Sequence, residues 1–539
     1  MFNIFKLFWV TLRSNLSTFF PMFMLIFFLS LYYIAFNLPR SNNLNIFNSN
    51  VSQPASSSIS SSSSSSENEY SRVEESSVFS LVTNFEKINP NFDIENGNYN
   101  LYTLSNYHVS NFCSDFKITK CSRRIVIVTL ENLDQVYEKL HDSDSFALLK
   151  NEDLDFRLKI VNIGNQNVFD KSFDLTSYPL KISNSLILDK TESQKIENSK
   201  WKQDNEIKLG HTGSFLAGRG VILHTNLLHN GDYRKMIAPM LPLFKNFDIM
   251  SATQETSLKG DGVYCFDCLS FVGSEKVMDQ MVVPLGIDIV TMAANHILDG
   301  GVDDLTNTFR LYKEKGIPIV GASDVNNDLA IKPVLVEKNG IKIAYLAIND
   351  TPGRSEWADE NSPGAASASD WDIVNGVTVK YEPNLERIKK MVQSAKDLQP
   401  DLIILLPHWG AVEYQNIPTK YVQNLAHLFL DEGVDIIIGD HPHWVQEMEW
   451  YKRKSPSYSG MTISPIFYSV GNFVFDQMWS IETRQGMTVE LNFYNKRLLN
   501  IDLHPHQLYL YDRGTVEPLD KLSNEYRQTL ERVFSVSDL

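Results

Sequence analysis

The segment DIIIGDHPHWVQ, residues 435–446, joins an apolar run to an acid and two histidines. Short continuous apolar runs are typical of strands that are buried on both faces, as in the parallel sheets of α/β proteins. Asp440, His441 and His443 would then follow the carboxyl end of such a strand. The segment therefore predicts a buried strand that delivers polar groups to one edge of a sheet.

The same pattern recurs along the chain, with amphipathic stretches of helical spacing at 302–312, 385–395 and 422–429 between the apolar runs. This alternation predicts an α/β domain with a largely parallel sheet over residues 206–515. A C-terminal helix or tail at 516–539 would follow. The other apolar runs are GIDIVTMA (286–293), IKIAYLAI (341–348), DLIILLP (401–407) and PIFYSV (465–470).

Residues 18–38, TFFPMFMLIFFLSLYYIAFNL, contain no charged side chain. A helix of this length spans about 30 Å, the thickness of the hydrocarbon core of a bilayer. Lys6 and Arg13 precede the segment and only Arg40 follows it closely, so the positive-inside rule places residues 1–17 in the cytoplasm and the main domain outside. We expect a single-pass membrane anchor. The alternative is a cleaved signal peptide, although no small-residue cleavage site follows.

Residues 39–76 consist largely of Ser, Asn, Glu and Gln and cannot bury enough apolar surface to fold, so we predict a disordered tether. Residues 77–205 regain a globular composition. In this region RRIVIVTL and FRLKIVNI predict strands, and ENLDQVYEKL predicts a helix. We expect a small α+β region, either a separate domain or an elaboration packed on the next one, without an identifiable catalytic motif.

The chain has 539 residues, with 65 acidic against 49 basic side chains and a formal charge of -16. This charge disfavours general attraction to nucleic acid or to anionic lipid. We therefore expect partners that are small, metallic or cationic, and no nucleic acid. No feature of the sequence specifies an oligomeric state.

Four cysteines are too few for a disulfide scaffold. Outside the cytoplasm Cys113 could pair with Cys121, and Cys265 with Cys268. The CFDC sequence is also compatible with redox chemistry or zinc binding. Because it is the one CxxC of the chain and lacks the strand-to-helix context of a thioredoxin site, we interpret it as a loop crosslink or two free thiols.

Polar side chains follow the predicted strands at their carboxyl ends: Asn295 and His296 after one strand, His408 after another, His441 and His443 after a third. In open α/β sheets these ends lie along one edge, where ligands bind. A single histidine is more often structural than a ligand, but four at equivalent ends favour a site. Imidazole suits Zn, Mn, Fe or Ni, and oxygen ligands complete the shell. We predict a divalent metal.

Two other histidine features do not fit this series. His427 lies in the middle of a predicted helix, and we interpret it as a surface residue. The sequence HPH recurs at 504–506, but it ends a C-terminal strand away from the other strand ends, so we interpret the repeat as coincidental.

Four segments, GIDIVTMAANHILDGG, DLIILLPHWGAVEY, DIIIGDHPHWVQ and YSVGNFVFDQ, resemble the successive signatures of the CapA family of capsule or poly-γ-glutamate biosynthesis proteins. The resemblance extends over residues 208–512, in the same order. The CapA domain is similar to that of the calcineurin-like metallophosphatases, so the resemblance implies a layered α/β sandwich. It also implies an N-terminal anchor with an extracytoplasmic domain.

The resemblance implies a role for each matching residue. Asn295, His408, His441 and His443 would be metal ligands. His296 would be catalytic, as the donor to a transition-state oxyanion or leaving group.

Two acids match the family motifs and would also be catalytic. Glu255 in SATQETSL matches the carboxylate of an Asn-Leu-Glu motif, with Thr253 and Gln254 as departures. Asp299 matches the acid that follows Asn-His. The alternative role for Asp299 is the N-cap of a helix that begins near Gly301.

Three further residues would bind substrate. Trp409 and Glu413 match a His-Trp-Gly-x-Glu-Tyr motif, here with one extra residue. Asn472 matches a Ser-x-Gly-Asn-Phe motif, where it either lines the pocket or is structural.

The segment GHTGSFLAGRGV departs from the family, which commonly has Gly-Asp where this chain has Ser214. A two-metal phosphoesterase needs a strong anionic ligand at that place. The expected cofactor is therefore a divalent metal, Mn, Zn or Fe, and the loss of the acid favours one ion over two. His211 could substitute for the acid, but we interpret it as a structural histidine of a turn.

Three functions are compatible with these patterns. The first is a membrane-anchored, metal-dependent hydrolase or transferase that acts on a phosphoester, or on an amide or acyl phosphate of a glutamate polymer. The second is a non-catalytic factor for assembly or export, which holds an anionic polymer through a bound cation. The third is a structural α/β domain whose histidines are remnants. The sequence does not specify the substrate, nor whether a polymer is made.

Overall fold

In the computed structural model, the chain from residue 206 onward folds around two β-sheets that pack face to face. The structure describes residues 71–534, except 142–144, 164–165, 172, 189–204, 265–269, 352–356 and 375–376. These residues belong to a compact unit, Asn68–Leu539.

The strands of the described residues are β1 Ser71–Asn84, β2 Asn100–Leu104, β3 Val126–Leu130, β4 Phe146–Lys150, β5 Leu158–Val161, β6 Lys181–Leu188, β7 Glu206–Phe215, β8 Ile249–Gln254, β9 Ser257–Leu258, β10 Val272–Gly273, β11 Ile289–Thr291, β12 Ile319–Val320, β13 Ala322–Ser323, β14 Val334–Lys338, β15 Ile341–Asp350, β16 Gly364–Ala365, β17 Ser369–Val374, β18 Val377–Pro383, β19 Leu402–Trp409, β20 Ile436–Ile438, β21 Met448–Lys452, β22 Ile463–Phe467, β23 Asn472–Val474, β24 Gln485–Tyr494, β25 Arg497–Tyr509 and β26 Thr515–Pro518.

The α-helices are Phe112–Asp115, Leu133–Leu140, Arg219–His229, Tyr233–Ile237, Leu241–Phe244, Val302–Lys315, Asn327–Ala330, Leu385–Lys396, Lys420–Glu432, Ile481–Arg484 and Asn524–Phe534. Short 3-10 turns lie at Ser105–Tyr107, Asn151–Asp153 and Ala238–Met240, and a π-helical turn lies at Met278–Val282.

Residues 71–188 form a sheet with the order β3-β2-β4-β1-β5, in which β6 pairs with the first half of β1. This sheet has its own apolar core, to which the helix Leu133–Leu140 contributes. It also packs on the sandwich, where Phe85 and Phe156 contact Trp450. Cys113 and Cys121 form a disulfide here, which is one of the two pairings that the sequence left open. Cys265 and Cys268 lie outside the described residues.

Strand β1 begins at Ser71, so residues 71–76 of the predicted tether are in fact part of a strand. They pair antiparallel with β6, starting from Ser71 opposite Leu188. The backbone makes this ladder with a partner far along the chain, so the polar composition of the segment does not reveal it. Residues 39–70 lie outside the described residues.

Two mixed sheets build the sandwich. Sheet A has the order β12-β11-β8-β7-β24-β25-β26, with β23 beside β7. Its strands β12, β11, β8 and β7 are parallel. Sheet B has the order β14-β15-β19-β20-β22-β21, with four parallel strands at its centre. The parallel strands of both sheets carry the polar segments of interest at their carboxyl ends.

Both faces of the central strands are buried. In β15, Ile343 and Tyr345 pack between the two sheets, whereas Ala344 and Leu346 pack against the outer helices. Alternate residues of a strand point to opposite faces. Because apolar neighbours cover both faces, these strands appear in the sequence as continuous apolar runs.

Helices cover the outside of each sheet. Leu385–Lys396 and Lys420–Glu432 pack on sheet B, and Val302–Lys315 packs on sheet A together with Arg219–His229 and Tyr233–Ile237. The layers run helix, sheet, sheet, helix. This is the layered α/β sandwich that the sequence predicts.

The predicted strands are not all in one sheet, which corrects the sequence interpretation. Strand β11, from segment 286–293, lies in sheet A, while the strands from the other four apolar runs lie in sheet B. Both sheets are buried on both faces, so their strands look alike in sequence. At the C-terminus, β26 crosses the predicted boundary at 515 before the helix Asn524–Phe534.

The predicted anchor, residues 18–38, lies outside the described residues. Among the residues that the structure describes, no helix combines the length and the apolar character that a bilayer crossing requires.

A buried acid at the end of β15 provides a test of the packing of sheet B. The Asp350 carboxylate is fully buried, and its Oδ2 accepts hydrogen bonds from the Tyr421 hydroxyl at 2.7 Å and the Ser369 hydroxyl at 3.0 Å. Its Oδ1 has no hydrogen-bond partner among the described residues. Burial raises the pKa of Asp350 to about 6, because the ionised form loses its solvation.

We expect the free energy of unfolding of the wild type to fall relative to that of Asp350→Asn as the pH rises from about 4 to about 6, by about 2 to 3 kcal/mol. In that range the unfolded state has already lost the proton that the folded state still binds. Urea denaturation of both proteins across this pH range measures the difference. A difference that does not depend on pH would contradict the burial of this carboxylate.

Candidate functional site

Three side chains from separate elements meet at the carboxyl edge of the sandwich. Asn295 follows β11, His408 lies near the end of β19, and His441 follows β20. His408 Nε2 is 2.9 Å from Asn295 Oδ1 and 3.1 Å from His441 Nδ1. All three side chains are buried. Residues far apart in sequence thus contact one another through atoms that are able to bind a metal.

A carboxylate orients the central histidine. Asp440 Oδ1 lies 2.7 Å from His408 Nδ1. An ionised carboxylate only accepts, so His408 donates from Nδ1 and turns Nε2 toward Asn295 and His441. Burial opposes charge on both groups, but the Asp440 carboxylate outweighs it and raises the pKa of His408. His408 in turn holds the pKa of Asp440 below its usual value despite burial. The Asp440 carboxylate therefore favours a positive charge on His408 Nε2, which is either a proton that is donated to Asn295 or a cation that is bound there.

The turn after β20 holds its two histidines in unusual backbone conformations. The φ angle is +91° at His441 and +59° at His443, in a region that residues other than glycine rarely adopt. Such conformations cost on the order of 1–3 kcal/mol each and persist where neighbouring contacts enforce them, often at functional sites. Here the backbone N–H of Tyr414 donates to the Pro442 carbonyl at 3.0 Å and ties the turn to the loop after β19.

His443 is oriented by Asn472. The Asn472 amide nitrogen donates to the Thr483 carbonyl at 2.9 Å, so its Oδ1 accepts from His443 Nδ1, also at 2.9 Å. His443 Nε2 is then directed toward Glu255, whose Oε1 lies 4.0 Å away. Of the two roles predicted for Asn472, its geometry matches the structural one.

Glu255, directly after β8, is fully buried, and neither of its carboxylate oxygens has a hydrogen-bond partner among the described residues. A buried carboxylate without donors is costly unless a positive charge compensates it. The contact with His443 is too long for a hydrogen bond. The surroundings of Glu255 are therefore suited to a cation that lies between it and the imidazoles.

The donor set of the site is an amide oxygen, imidazole nitrogens and a carboxylate, which suits a divalent transition metal. Within the described ranges, no group of three or more His, Cys, Asp or Glu side chains is arranged to hold a metal ion. The three donors that do converge come from Asn295, His408 and His441. His443 and Glu255 stand further out. These three side chains fit a cation that is bound by two imidazole nitrogens and one amide oxygen.

His296 lies beside this cluster and is paired with Asp299. Its Nδ1 is 2.8 Å from Asp299 Oδ2, which also accepts from the backbone N–H of Phe271 at 2.8 Å. The ring of His296 packs on that of Phe271, with 4.0 Å between centroids. The helix Val302–Lys315 has Gly301 as its N-cap, without a side-chain hydrogen bond. The N-cap role for Asp299 is therefore wrong, because its carboxylate orients His296.

Residues 208–477, about half of the chain, match the family model described as bacterial capsule synthesis protein PGA_cap. The chain belongs to the PGA_cap family. It is 27% identical over 340 residues to the capsule biosynthesis protein CapA of Bacillus anthracis, with 61% of this chain and 74% of that protein covered. It is 30% identical over 248 residues to the PGA biosynthesis protein CapA of Bacillus subtilis (strain 168), with 46% of this chain and 56% of that protein covered.

Among solved structures, the chain is similar to the calcineurin-like phosphoesterase YfkN from Bacillus subtilis, at 14% identity and a TM-score of 0.33, with 60% of this chain and 96% of that one covered. It is also similar to a 5'-nucleotidase precursor from Thermus thermophilus, at 13% identity and a TM-score of 0.32, with 61% and 57% covered. Scores this low support no further conclusion.

One residue predicted to bind substrate in the PGA_cap domain does not reach the site. Trp409 is fully buried, and its indole N–H donates to the Tyr468 carbonyl at 2.9 Å. It packs in the apolar core beneath the helix Lys420–Glu432. Neighbouring side chains of a strand face opposite sides, so Trp409 faces away when His408 faces the cluster. The predicted substrate role of Trp409 is wrong.

Glu413 lies at the rim of the site, the solvent-exposed edge beside His441. Its side chain is 37% exposed, and its Oε1 is 3.7 Å from His441 Nε2. Next to it, the Tyr414 ring stacks on His443 with 5.9 Å between centroids, and Trp479 lies edge-on to Tyr414. The rim therefore offers one carboxylate and two aromatic side chains to a ligand.

Sequence reasoning assigned no role to some residues that shape the site. Asp440 is the most important, and its position between a buried strand and two histidines was a usable signal. His506, in the HPH repeat interpreted as coincidental, lies with its Nε2 3.2 Å from the Asn472 carbonyl oxygen. Burial lowers the pKa of His506 to about 4, so it is neutral and donates to that carbonyl. No pattern in the sequence indicated this contact.

The uncompensated carboxylate of Glu255 gives a direct prediction. In a buffer with a chelator, the free energy of unfolding of Glu255→Gln should be about 1–3 kcal/mol higher than that of the wild type. The substitution removes a buried carboxylate that accepts no hydrogen bond among the described residues. Chemical denaturation measures this. Asp435→Asn is the matched control, since Asp435 is equally buried but accepts from the hydroxyls of Ser457 and Ser459, and it should lose stability. A loss in both variants would contradict the description of Glu255.

Proposed function

We propose that this protein is a membrane-anchored, metal-dependent hydrolase of the phosphoesterase type that acts in the synthesis or export of a capsule polymer such as poly-γ-glutamate. The polymer is taken from the printed names of its relatives, the capsule biosynthesis protein and the PGA biosynthesis protein CapA. The reaction is taken from the chemistry of the site. A phosphorylated small substrate or the anionic polymer itself would be the ligand.

One observation carries the hydrolase proposal. His408 Nε2 lies 2.9 Å from Asn295 Oδ1 and 3.1 Å from His441 Nδ1, and the buried carboxylate of Glu255, which has no hydrogen-bond partner among the described residues, lies 4.0 Å from the neighbouring His443. Lone pairs that converge in this way repel unless a proton or a cation lies among them. A divalent cation held by these residues would supply Lewis acidity toward a phosphoryl or carbonyl oxygen.

The protein's own residues would divide the remaining work. Asp440 keeps His408 in the tautomer that presents Nε2, and Asn472 does the same for His443. His296, when protonated on both nitrogens, would donate from Nε2 to the negative charge that develops on the substrate, while Asp299 stabilises the imidazolium. Glu413 and Tyr414 at the rim would contact the part of the substrate that extends from the site.

A second candidate is a non-catalytic factor for the assembly or export of an anionic polymer. The presence of Ser214 in place of the acid of the family motif favours this candidate, because a two-metal phosphoesterase depends on that acid. In such a protein a bound cation would bridge the acidic surface and the polymer. The two candidates make the same prediction for metal binding and opposite predictions for hydrolysis.

We also propose that residues 18–38 anchor the chain with its main domain outside the cytoplasm. The uncharged apolar segment and the charges that precede it support this topology. The disulfide between Cys113 and Cys121 supports it independently, since disulfides persist mainly in oxidising compartments. Deletion of residues 1–38 should move the protein from the membrane fraction to the soluble fraction. Retention in the membrane would contradict the anchor.

Metal content and hydrolysis can be measured on the same preparations of the full-length protein. We expect the wild type to retain about one divalent ion per chain by elemental analysis, and to hydrolyse bis(p-nitrophenyl) phosphate. His441→Ala should lose the ion and at least about 100-fold in rate. His427→Gln, which removes an imidazole on the helix Lys420–Glu432 that instead contacts Glu449, should keep both properties.

Each outcome bears on a different candidate. Bound metal with hydrolysis supports the hydrolase. Bound metal without hydrolysis of any phosphoester tested supports the assembly factor. A wild-type protein that binds neither manganese nor zinc above the level of His441→Ala contradicts both candidates and leaves the histidines as remnants.

A further inference from the structure

The strongest unassigned feature of the molecule is the Asp440 carboxylate. It is 2% exposed and lies between the ends of strands from both sheets. Its Oδ2 accepts from the Ser214 hydroxyl of β7 at 3.1 Å, and its Oδ1 accepts from His408 Nδ1 of β19 at 2.7 Å. The Asp440 carboxylate, just after β20, therefore contacts both Ser214, which stands in place of the family acid, and His408, one of the three residues that would bind the cation.

The surroundings of Asp440 are those of a charged group. Thr253 of β8 lies next to Ser214 in the register of β7 and β8. Ser214 and Thr253 are two of the positions where this chain departs from the family motifs. The Ser214 hydroxyl and His408 both donate hydrogen bonds to the Asp440 carboxylate, and such donors suit an anion rather than a neutral apolar side chain.

The alternative source of the missing ligand, His211, does not fill this role. His211 lies inside strand β7 rather than in a turn, and its Nδ1 is 2.9 Å from the Ser251 hydroxyl. Burial lowers the pKa of His211 to about 4, so it is a neutral side chain. His211 therefore adds no negative charge to the site, and its contact with Ser251 ties it to β8.

We propose that Asp440 supplies, from β20, the negative charge that Ser214 does not supply from β7, and that it positions His408 to bind a cation. The inference rests on the proposed metal site but concerns the origin of its charge. Both Asp440 oxygens accept hydrogen bonds from protein donors, so Asp440 is a positioning residue that acts through His408. A carboxylate on the far nitrogen of a histidine ligand fixes its tautomer and raises its basicity.

If this is correct, the carboxylate can be moved between the two strands. Asp440→Ser removes the charge, and the double variant Ser214→Asp with Asp440→Ser restores it at the neighbouring position, where the two side chains are in contact. We expect the affinity for Mn²⁺, measured by calorimetry on the full-length protein, to fall about 10–100-fold in Asp440→Ser. The double variant should bind Mn²⁺ at least about tenfold more tightly than Asp440→Ser does.

Two controls separate charge from folding. Asp435→Asn removes a buried carboxylate at the start of the same strand segment, away from the cluster, and should leave the Mn²⁺ affinity unchanged. Asp440→Asn keeps the size of the side chain and removes the charge, so it should behave as Asp440→Ser does. If Asp440→Ser does not fold, the comparison of Asp440→Asn with Ser214→Asp/Asp440→Asn takes its place.

The outcomes distinguish this inference from the proposed function. A wild type that does not bind Mn²⁺ overturns the metal site itself. A wild type that binds Mn²⁺ while Asp440→Asn binds equally well overturns the role of Asp440 alone. Loss of affinity in the single variant without recovery in the double variant also overturns the exchange of charge, because a purely structural role of Asp440 predicts that result.

Discussion

The apolar layer between the two sheets determines where every polar side chain of the site lies. Leu209 of β7, Ile404 of β19 and Ile438 of β20 pack in this layer, and they hold strands of both sheets in alignment. The carboxyl ends of these strands consequently open at one edge. The period of two along a strand then decides which residues face the site, so His408 faces it and Trp409 faces the outer helices. The apolar contacts between the two sheets, which have no directional preference of their own, thereby fix the positions of the polar and charged side chains at the strand ends.

Charge balance is the second constraint at this edge. Asp440 is compensated by His408 and by the Ser214 hydroxyl, whereas Glu255 has no donor among the described residues. A protein can retain such a carboxylate when a ligand compensates it, and a cation bound by Asn295, His408 and His441 would add positive charge on this side of the site. The same arrangement serves a hydrolase and a factor that holds an anionic polymer. The hydrolase and the polymer-binding factor differ in whether a bond of the substrate is broken, and not in the side chains that would bind the cation.

Much of the fold could be predicted because its signals are local. The apolar runs and the helical spacing at 302–312, 385–395 and 422–429 reflect burial on both faces of strands and on one face of helices. The division of the strands between two sheets could not be predicted, since strands in either sheet have the same composition. Residues 71–76 join a strand despite a polar composition, because their order comes from a backbone ladder with β6.

The site shows the same division between local and non-local information. The ends of predicted strands predicted that Asn295, His408 and His441 lie close together, and the structure places them in contact, because parallel strands present their carboxyl ends at one edge. The contact between Ser214 and Asp440 joins strands of different sheets, so no spacing in the sequence reveals it. The resemblance to the family motifs pointed to Ser214 as a missing charge, and only the three-dimensional structure shows a carboxylate beside it.

The central claim is that one cation binds among Asn295, His408 and His441. A crystal structure of the protein grown with Mn²⁺, with anomalous data collected near the manganese edge, tests it most directly. The account predicts an anomalous peak about 2 to 2.5 Å from Asn295 Oδ1, His408 Nε2 and His441 Nδ1, with the Glu255 carboxylate turned toward it. The absence of a peak in that position, with His408 Nε2 still hydrogen-bonded to Asn295, would contradict the account.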